Sequence, residues 1–221
     1  MLAVSPHCDD AVLACGERLS LQANDALVVT VFAGNPPPGA PLTSWDRDCG
    51  FRTSGEVMPR RREEDRCAFA RLGVRGAWLP FRDRQYGEPP SAREIAVALG
   101  AYVVRERPGQ VCFPLGLFHS DHALVSEAAL SLVALHPETA WYAYEDALYR
   151  SLEDAVEERV DALRRRGFVV RAGTQTTAPA SLKRKRAAMA CYRSQLRGLR
   201  TPQRLGHRDA LAPEAYWSVK A

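Results

Sequence analysis

The chain has 221 residues, which is long enough to bury the core of one α/β domain. Its composition, 46% hydrophobic and 25% charged residues, argues against a fibrous repeat and against extensive disorder. A formal net charge of +4, carried by scattered basic residues without a long basic stripe and interleaved aromatics, argues against nucleic-acid binding.

The sequence has no apolar run near the ~18 residues that a membrane-spanning helix requires. The first residues lack the basic and then apolar pattern of a signal peptide, so we expect a cytoplasmic protein. The six cysteines form no C-x-x-C pair, and we expect reduced, mostly buried thiols. They are Cys8, Cys15, Cys49, Cys67, Cys112 and Cys191.

Strand-like apolar runs alternate with helical patterns along the chain. This order predicts a Rossmann-like α/β fold, a mostly parallel sheet with helices on both faces, in a single domain spanning 1–221. The predicted strands are Leu2–Val4, Ala26–Phe32, Ala77–Leu79, Gln110–Phe113, Trp141–Tyr144 and Phe168–Ala172. The predicted helices are Ala11–Leu21, Met58–Leu72, Ala92–Arg105, one starting near Ser120, Leu152–Arg166 and Ser181–Leu196.

The stretch 34–55 is rich in Pro, Gly, Ser and Asp, which predicts a long loop. Loops of this length in compact domains are usually functional, although disorder is the competing interpretation. Trp45, Asp46 and Phe51 suit substrate contact, so we interpret 34–55 as an active-site loop.

The first chemical motif is Pro6-His7-Cys8-Asp9-Asp10, at the junction of the first strand and the first helix. Ligands of doubly wound sheets bind outside the carboxyl ends of strands, where this motif lies. His7 and Asp10 can face one point, and Asp9 between them is available as a base. The alternative is that the two aspartates only cap the helix.

The second motif is His119-Ser120-Asp121-His122, which follows the strand Gln110–Phe113. One helical turn places His119 and His122 on the same side, and Asp121 can bond the imidazole N–H of a neighbouring histidine. Three of the five histidines of the chain lie in these two motifs.

This inventory matches a catalytic metal site. Catalytic zinc uses three His, Asp or Glu ligands and leaves one position for a water whose pKa falls towards ~7. A neighbouring carboxylate can take the proton of that water, and a histidine can stabilise the oxyanion or protonate the leaving amine. The two motifs therefore indicate a metal-dependent hydrolase of an amide.

The chain resembles the PIG-L/LmbE family of zinc-dependent N-deacetylases, whose signatures are an early P-H-x-D-D or H-P-D-D and a later H-x-D-H. Both signatures are present in the right order. Further similarity extends over nearly the whole chain, in Arg61-Arg62-Glu63-Glu64 before Leu72-Gly73-Val74, in Tyr144-Glu145 and in Lys185…Ala188…Tyr192-Arg193-Ser194-Gln195.

The resemblance implies a role for each matching residue. His7, Asp10 and His122 would bind Zn²⁺, although His and Asp ligation also suits Fe²⁺. Asp9 would be the general base. His119 would stabilise the oxyanion or act as acid, with Asp121 orienting it. Arg61 and Asp83 match positions that contact substrate, which the resemblance implies to be a small amino-sugar-like molecule.

The chain departs from the family pattern in three places. Cys8 replaces a common proline, Ala11 replaces a glutamate, and Tyr192 stands where a histidine often precedes Ser-Gln. None of these changes removes a proposed ligand or base. Cys8 is either a thiolate that competes for the metal or a small buried side chain that supports the turn.

Other functions remain open at the level of sequence. A zinc amidase of another small amide, such as a thiol conjugate, would share the metal chemistry, and a non-catalytic binding module could use the same fold. Dinucleotide binding is disfavoured because no G-x-G-x-x-G follows the first strand. The sequence does not decide whether the chain forms a homo-oligomer.

Overall fold

A computed structural model describes residues 1–173, 178–202 and 206–221. In these residues, one sheet of seven strands runs in the order β3-β2-β1-β4-β5-β7-β6. Strands β1 to β5 are parallel, whereas β7 pairs antiparallel with both β5 and β6. The strands are β1 (Leu2–Ser5), β2 (Leu27–Thr30), β3 (Arg75–Trp78), β4 (Gln110–Pro114), β5 (Ala140–Tyr144), β6 (Val169–Ala172) and β7 (Tyr216–Lys220).

Helices cover both faces of the sheet, which confirms the predicted α/β class. Helices α1, α3 and α7 pack together on one face, and α4, α5 and α6 cover the other. The helices are α1 (Asp10–Leu21), α2 (Ser44–Asp48), α3 (Ser54–Leu72), α4 (Ala92–Glu106), α5 (Ser120–Val133), α6 (Ala155–Arg165), α7 (Pro179–Met189) and α8 (Arg193–Gly198).

The central strand β1 shows why the sheet is buried on both sides. Leu2 and Val4 enter one hydrophobic core and Ala3 enters the other, because successive side chains of a strand point to opposite faces. No helix among the described residues is long and apolar enough to span a bilayer.

The stretch 34–55, predicted as a long loop, contains the five-residue helix α2. Helix α3 begins at Ser54 rather than at the predicted Met58. Pro59 is the sixth residue of α3 and lacks the N–H that would bond to the Gly55 carbonyl, so the helix forgoes one backbone hydrogen bond there. Glu56 accepts the Thr53 N–H at 3.0 Å and so stabilises this earlier start.

The predicted helix Ser181–Leu196 is two helices, and α7 begins at Pro179. The chain leaves helical geometry at Tyr192, with φ −80° and ψ 57°. The turn buries the Tyr192 ring, whose hydroxyl donates to Asp65 Oδ1 at 2.8 Å. A buried hydrogen bond therefore outweighs the helical pattern at this point.

The expectation of reduced thiols was wrong for one pair. Cys67 of α3 and Cys191, just after α7, form a disulfide with Cα atoms 5.8 Å apart. The packing of α3 against α7 brings together two cysteines 124 residues apart in sequence. The other four cysteines are free and buried, as expected.

Candidate active site

The site lies where the strand order reverses. Strand β1 pairs with β2 on one side and β4 on the other, and the carboxyl ends of β1, β4 and β5 open into a cleft of about 730 Å³. Such a reversal leaves a crevice at the sheet edge, the usual ligand position in open α/β sheets. All eight residues that the sequence assigned to the site line this cleft: His7, Asp9, Asp10, Arg61, Asp83, His119, Asp121 and His122.

The turn between β1 and α1 is fixed by its own polar groups. The Ser5 hydroxyl donates to the His7 carbonyl at 2.6 Å and accepts the Ala11 N–H at 2.9 Å. Asp9 adopts φ +124°, a backbone conformation that residues other than glycine rarely adopt. Strain of this kind concentrates at functional sites. The Asp9 side chain makes no capping bond, so the helix-cap interpretation fails for this residue.

His7, Asp10 and His122 converge on one point. Asp10 Oδ2 lies 3.1 Å from His7 Nδ1 and 3.2 Å from His122 Nε2. Ligands at ~2.0–2.1 Å from a tetrahedral zinc ion lie roughly 3.3 Å from one another, so the observed distances fit a shared cation. A second group of potential ligands, His7, His119 and Asp121, shares His7 with the first.

The charges of this cluster favour a cation. Burial disfavours the imidazolium of His122, but the carboxylates of Asp10 and Asp146 outweigh burial and raise its pKa to about 9. Burial likewise opposes charge on His7, and Asp10 and Asp121 still raise the pKa of His7. The carboxylates therefore draw positive charge to the point where the three side chains meet.

Asp9 is poised to accept a proton. Its side chain lines the cleft although the residue is only 8% exposed. Burial and the neighbouring charge of Asp10 raise the pKa of Asp9, which His7 and Arg61 partly offset. A carboxylate with raised proton affinity at the edge of a cation site suits general-base chemistry.

His119 presents a neutral imidazole. Burial, helped by His7 and His122, lowers the pKa of His119 to about 4. The Asp121 backbone N–H donates to His119 Nδ1 at 3.2 Å, so Nδ1 carries no proton and Nε2 does. His119 can therefore donate a hydrogen bond from Nε2 without being charged.

The Asp121 side chain contacts a different histidine from the one expected. Its Oδ2 lies 3.2 Å from His7 Nε2, and its backbone N–H, rather than its carboxylate, meets His119. Asp121 Oδ1 is buried without a hydrogen-bond partner in the described part of the chain. The carboxylate thus adds negative charge beside His7.

Sequence reasoning missed Asp146, the second residue after β5. Asp146 Oδ1 lies 2.6 Å from His122 Nδ1, and Oδ2 accepts the N–H groups of Gly116 at 2.8 Å and Leu117 at 3.0 Å. An acidic residue just past the carboxyl end of a central strand was the available signal. Asp146 fixes which His122 nitrogen faces the cation point.

A family model described as PIG-L, GlcNAc-PI de-N-acetylase, matches residues 2–133, more than half of the chain. The chain belongs to the PIG-L family. Both motifs lie within the matched residues, whereas Asp146 lies beyond them. No curated protein sequence gives a significant match to the chain.

Solved structures similar to this PIG-L member include teicoplanin deacetylase Orf2. A triple mutant of Orf2 is 28% identical with a TM-score of 0.83, over 99% of this chain and 96% of that one. The zinc-inhibited form of Orf2 gives 23% and 0.80, over 99% and 97%.

Two more distant structures share the fold. The first is N,N'-diacetylchitobiose deacetylase from Pyrococcus horikoshii, with 21% identity and a TM-score of 0.58 over 88% of this chain and 69% of that one. The second is GalB, the 4-carboxy-2-hydroxymuconate hydratase of Pseudomonas putida KT2440, with 17% identity and a TM-score of 0.63 over 99% of this chain and 94% of that one. The second is a hydratase, so the fold alone does not fix the reaction.

The residues around the PIG-L motifs divide into those that line the cleft and those that support it. Arg61 lines the cleft, and its Nε is buried without a partner in the described residues. Trp45 also lines it, as expected for the 34–55 stretch. Asp46 and Phe51 do not: Asp46 is fully buried and holds Arg61 at 3.2 Å, and Phe51 packs in a small apolar cluster.

Cys8 belongs to the supporting group. It is buried with Ala33 and Met58, and neither group of potential cation ligands found in the described residues includes it. Burial and the charge of Asp65 raise the pKa of the Cys8 thiol. Cys8 therefore stays a neutral thiol behind the turn, which supports the structural interpretation.

Proposed function

We propose that the protein is a zinc-dependent N-deacetylase that removes an N-acetyl or N-acyl group from an amino sugar or a glycoconjugate. The observation that carries the proposal is the convergence of His7, Asp10 and His122 beside Asp9 and His119 in one cleft of a PIG-L member. The proposal agrees with the deacetylase activity in the names of Orf2 and the chitobiose enzyme.

In this proposal His7, Asp10 and His122 hold the cation. Zinc, when bound, supplies a water of lowered pKa and polarises the amide carbonyl. The same donors suit Fe²⁺, so metal analysis of the purified protein is the experiment that identifies the native metal. The cluster of carboxylates that raises the pKa of His7 and His122 favours either cation.

Asp9 and His119 then have separate roles, one as a proton acceptor and the other as a hydrogen-bond donor. Asp9 takes a proton from the attacking water, and His119 Nε2–H donates to the oxygen on which negative charge develops. Water adds to the carbonyl carbon, the C–N bond breaks, and the proton held by Asp9 passes to the departing nitrogen. The products are a carboxylate and a primary amine.

We assign Arg61 and Asp83 to substrate contact. Arg61 offers a buried donor to the cleft. Asp83 is 4% exposed, and both of its oxygens accept from Gln85, at 3.1 Å from the backbone N–H and 2.9 Å from Nε2. Hydrogen-bonding groups held this firmly suit a hydroxylated, small-molecule amino-sugar substrate. A cytoplasmic location completes the proposal.

The test is acetate release by protein stripped of metal and then restored with zinc. N-acetylglucosamine glycosides should yield acetate and free amine, and an N-acyl thiol conjugate in the same panel separates the amidase alternative. Asp161→Asn on the surface of α6 is the matched control for Asp9→Asn, because both replace one carboxylate. Zinc binding without amine release from any member of the panel would favour a binding module.

A further inference from the structure

Asp146 lies between helix α5, which carries His122, and the loop that contains Gly116 and Leu117. The residue is 1% exposed and follows β5. One oxygen faces His122 of α5 at 2.6 Å, and the other accepts two successive backbone N–H groups at Gly116 and Leu117. One buried carboxylate therefore meets three groups.

All three groups must act as donors if His122 is to bind a cation. His122 Nε2 lies 3.2 Å from Asp10 Oδ2 and so faces the cation point. A ligating imidazole nitrogen carries no proton, so the proton of neutral His122 must be on Nδ1, the nitrogen next to Asp146. Backbone N–H groups can only donate. Asp146 must therefore accept through both of its oxygens.

The backbone that Asp146 holds leads directly to His119. Gly116 has φ +88°, and a Cβ at this position would lie 2.7 Å from Ser126 Cβ, so the strap 116–119 runs tightly against α5. Phe118 also has a positive φ, at +55°. In the described part of the chain, the strap's backbone–backbone hydrogen bonds are those from His119 N–H to the Leu117 carbonyl and from Ala123 N–H to the His119 carbonyl. The two bonds to Asp146 are therefore important for where His119 lies.

We propose that Asp146 is a positioning residue that couples the cation ligand His122 to the strap 116–119 that presents His119. Cation affinity and the placement of the His119 donor then depend on the same carboxylate. The inference rests on the proposed function only for the identity of the cation ligands. It names a residue outside both sequence motifs.

Asparagine is the informative replacement because it keeps the shape and removes one acceptor. If the amide oxygen of Asp146→Asn faces His122, its NH₂ group meets the N–H groups of Gly116 and Leu117. If the amide is reversed, its NH₂ donates to His122 Nδ1, and the proton of neutral His122 moves to Nε2. Either orientation disturbs one half of the site.

The experiment measures the zinc dissociation constant by competition with a chromophoric chelator, for wild type, Asp146→Asn and the control Asp161→Asn. We expect Asp146→Asn to bind zinc about 10- to 100-fold more weakly, as for other partners of metal-bound histidines, with the control unchanged. A fall in kcat at similar KM should accompany it. Wild-type zinc affinity, within about twofold, together with an unchanged kcat in folded Asp146→Asn would overturn the coupling.

A measurement on the wild type covers the case in which Asp146→Asn does not fold. Amide hydrogen exchange with and without zinc should show the N–H groups of Gly116 and Leu117 at least about tenfold better protected in the zinc form. Unchanged protection there, with zinc bound, would contradict the proposal. Absence of zinc binding by the wild type would instead overturn the proposed function itself.

Discussion

Helix α1 carries one carboxylate in each half, the partly exposed Asp10 and the buried Glu17, and the surroundings of the two differ. Asp10 at its start belongs to the cation point, beside Asp9 on strained backbone and Asp121 with an unpaired oxygen. Glu17 in its second half accepts from the Ser181 hydroxyl at 2.9 Å. The Glu17 backbone N–H in turn donates to Glu214.

The buried carboxylate of Glu214 has a cationic partner and a hydrogen-bond donor. Lys185 Nζ lies 2.8 Å from one oxygen, and the Tyr216 hydroxyl donates to the other at 2.6 Å. These partners bind α7 and β7 to α1. Buried charge in this chain therefore stabilises the fold where each group is paired, and it indicates chemistry where carboxylates lie together without enough donors.

The largest effect should come from Asp9→Asn. We expect kcat/KM for deacetylation to fall about a thousandfold, because the base that takes the proton is lost. The free energy of unfolding should not fall, since a buried carboxylate close to Asp10 has been neutralised. Steady-state kinetics and urea unfolding check both statements. An Asp9→Asn variant that keeps a tenth of wild-type activity would exclude Asp9 as the base.

Lys185→Met should lower the stability of the protein and leave its activity unchanged, the opposite of Asp9→Asn. Removing the ammonium leaves the buried Glu214 without its cation and should lower the free energy of unfolding by about 3 kcal/mol. Activity per folded molecule should stay at the wild-type level, because Lys185 is outside the cleft. Urea denaturation and active-site titration separate the two quantities. A loss of activity at an unchanged free energy of unfolding would contradict a purely stabilising role for Lys185.

His119→Gln should lower kcat about a hundredfold with little change in KM, because a donor to the developing oxyanion is displaced. His136→Gln is the control, since His136 lies outside the cleft beside Glu138 at 3.5 Å. Equal kcat values for the two variants would show that His119 makes no contact specific to the transition state.

Phe118→Ala should have the smallest effect. Phe118 is 78% exposed at the cleft and lies beside Tyr149, with ring centroids 5.5 Å apart and the ring planes tilted by 30°. We expect roughly a threefold rise in KM for an aryl glycoside of N-acetylglucosamine, with stability unchanged. Val97→Ala on α4, also exposed at 69%, is the control. The same KM in both variants would remove Phe118 from the substrate surface.

The sequence was sufficient for the sheet and for the two motifs because both follow from short-range patterns. Short apolar runs located β1 and β4, and the residues just after them fall at the same sheet edge whatever the details of packing. For this reason the three predicted metal ligands, His7, Asp10 and His122, lie together in the structure.

The remaining features depend on contacts between distant parts of the chain. The Cys67–Cys191 disulfide requires α3 to lie against α7, and the end of α7 depends on the burial of Tyr192 against Asp65. Strand β7 was missed because its antiparallel insertion between β5 and β6 follows no alternation of strands and helices. Asp146 acts through His122, 24 residues away, without a motif.

The proposed active site requires that His7, Asp10 and His122 share one cation. Crystals grown with one equivalent of zinc, measured just above and below the zinc absorption edge, test it most directly. We expect one anomalous peak at ~2.0–2.2 Å from a nitrogen of each histidine and an oxygen of Asp10, and no peak there in His122→Ala. A peak at another position, or an unchanged peak in His122→Ala, would contradict it.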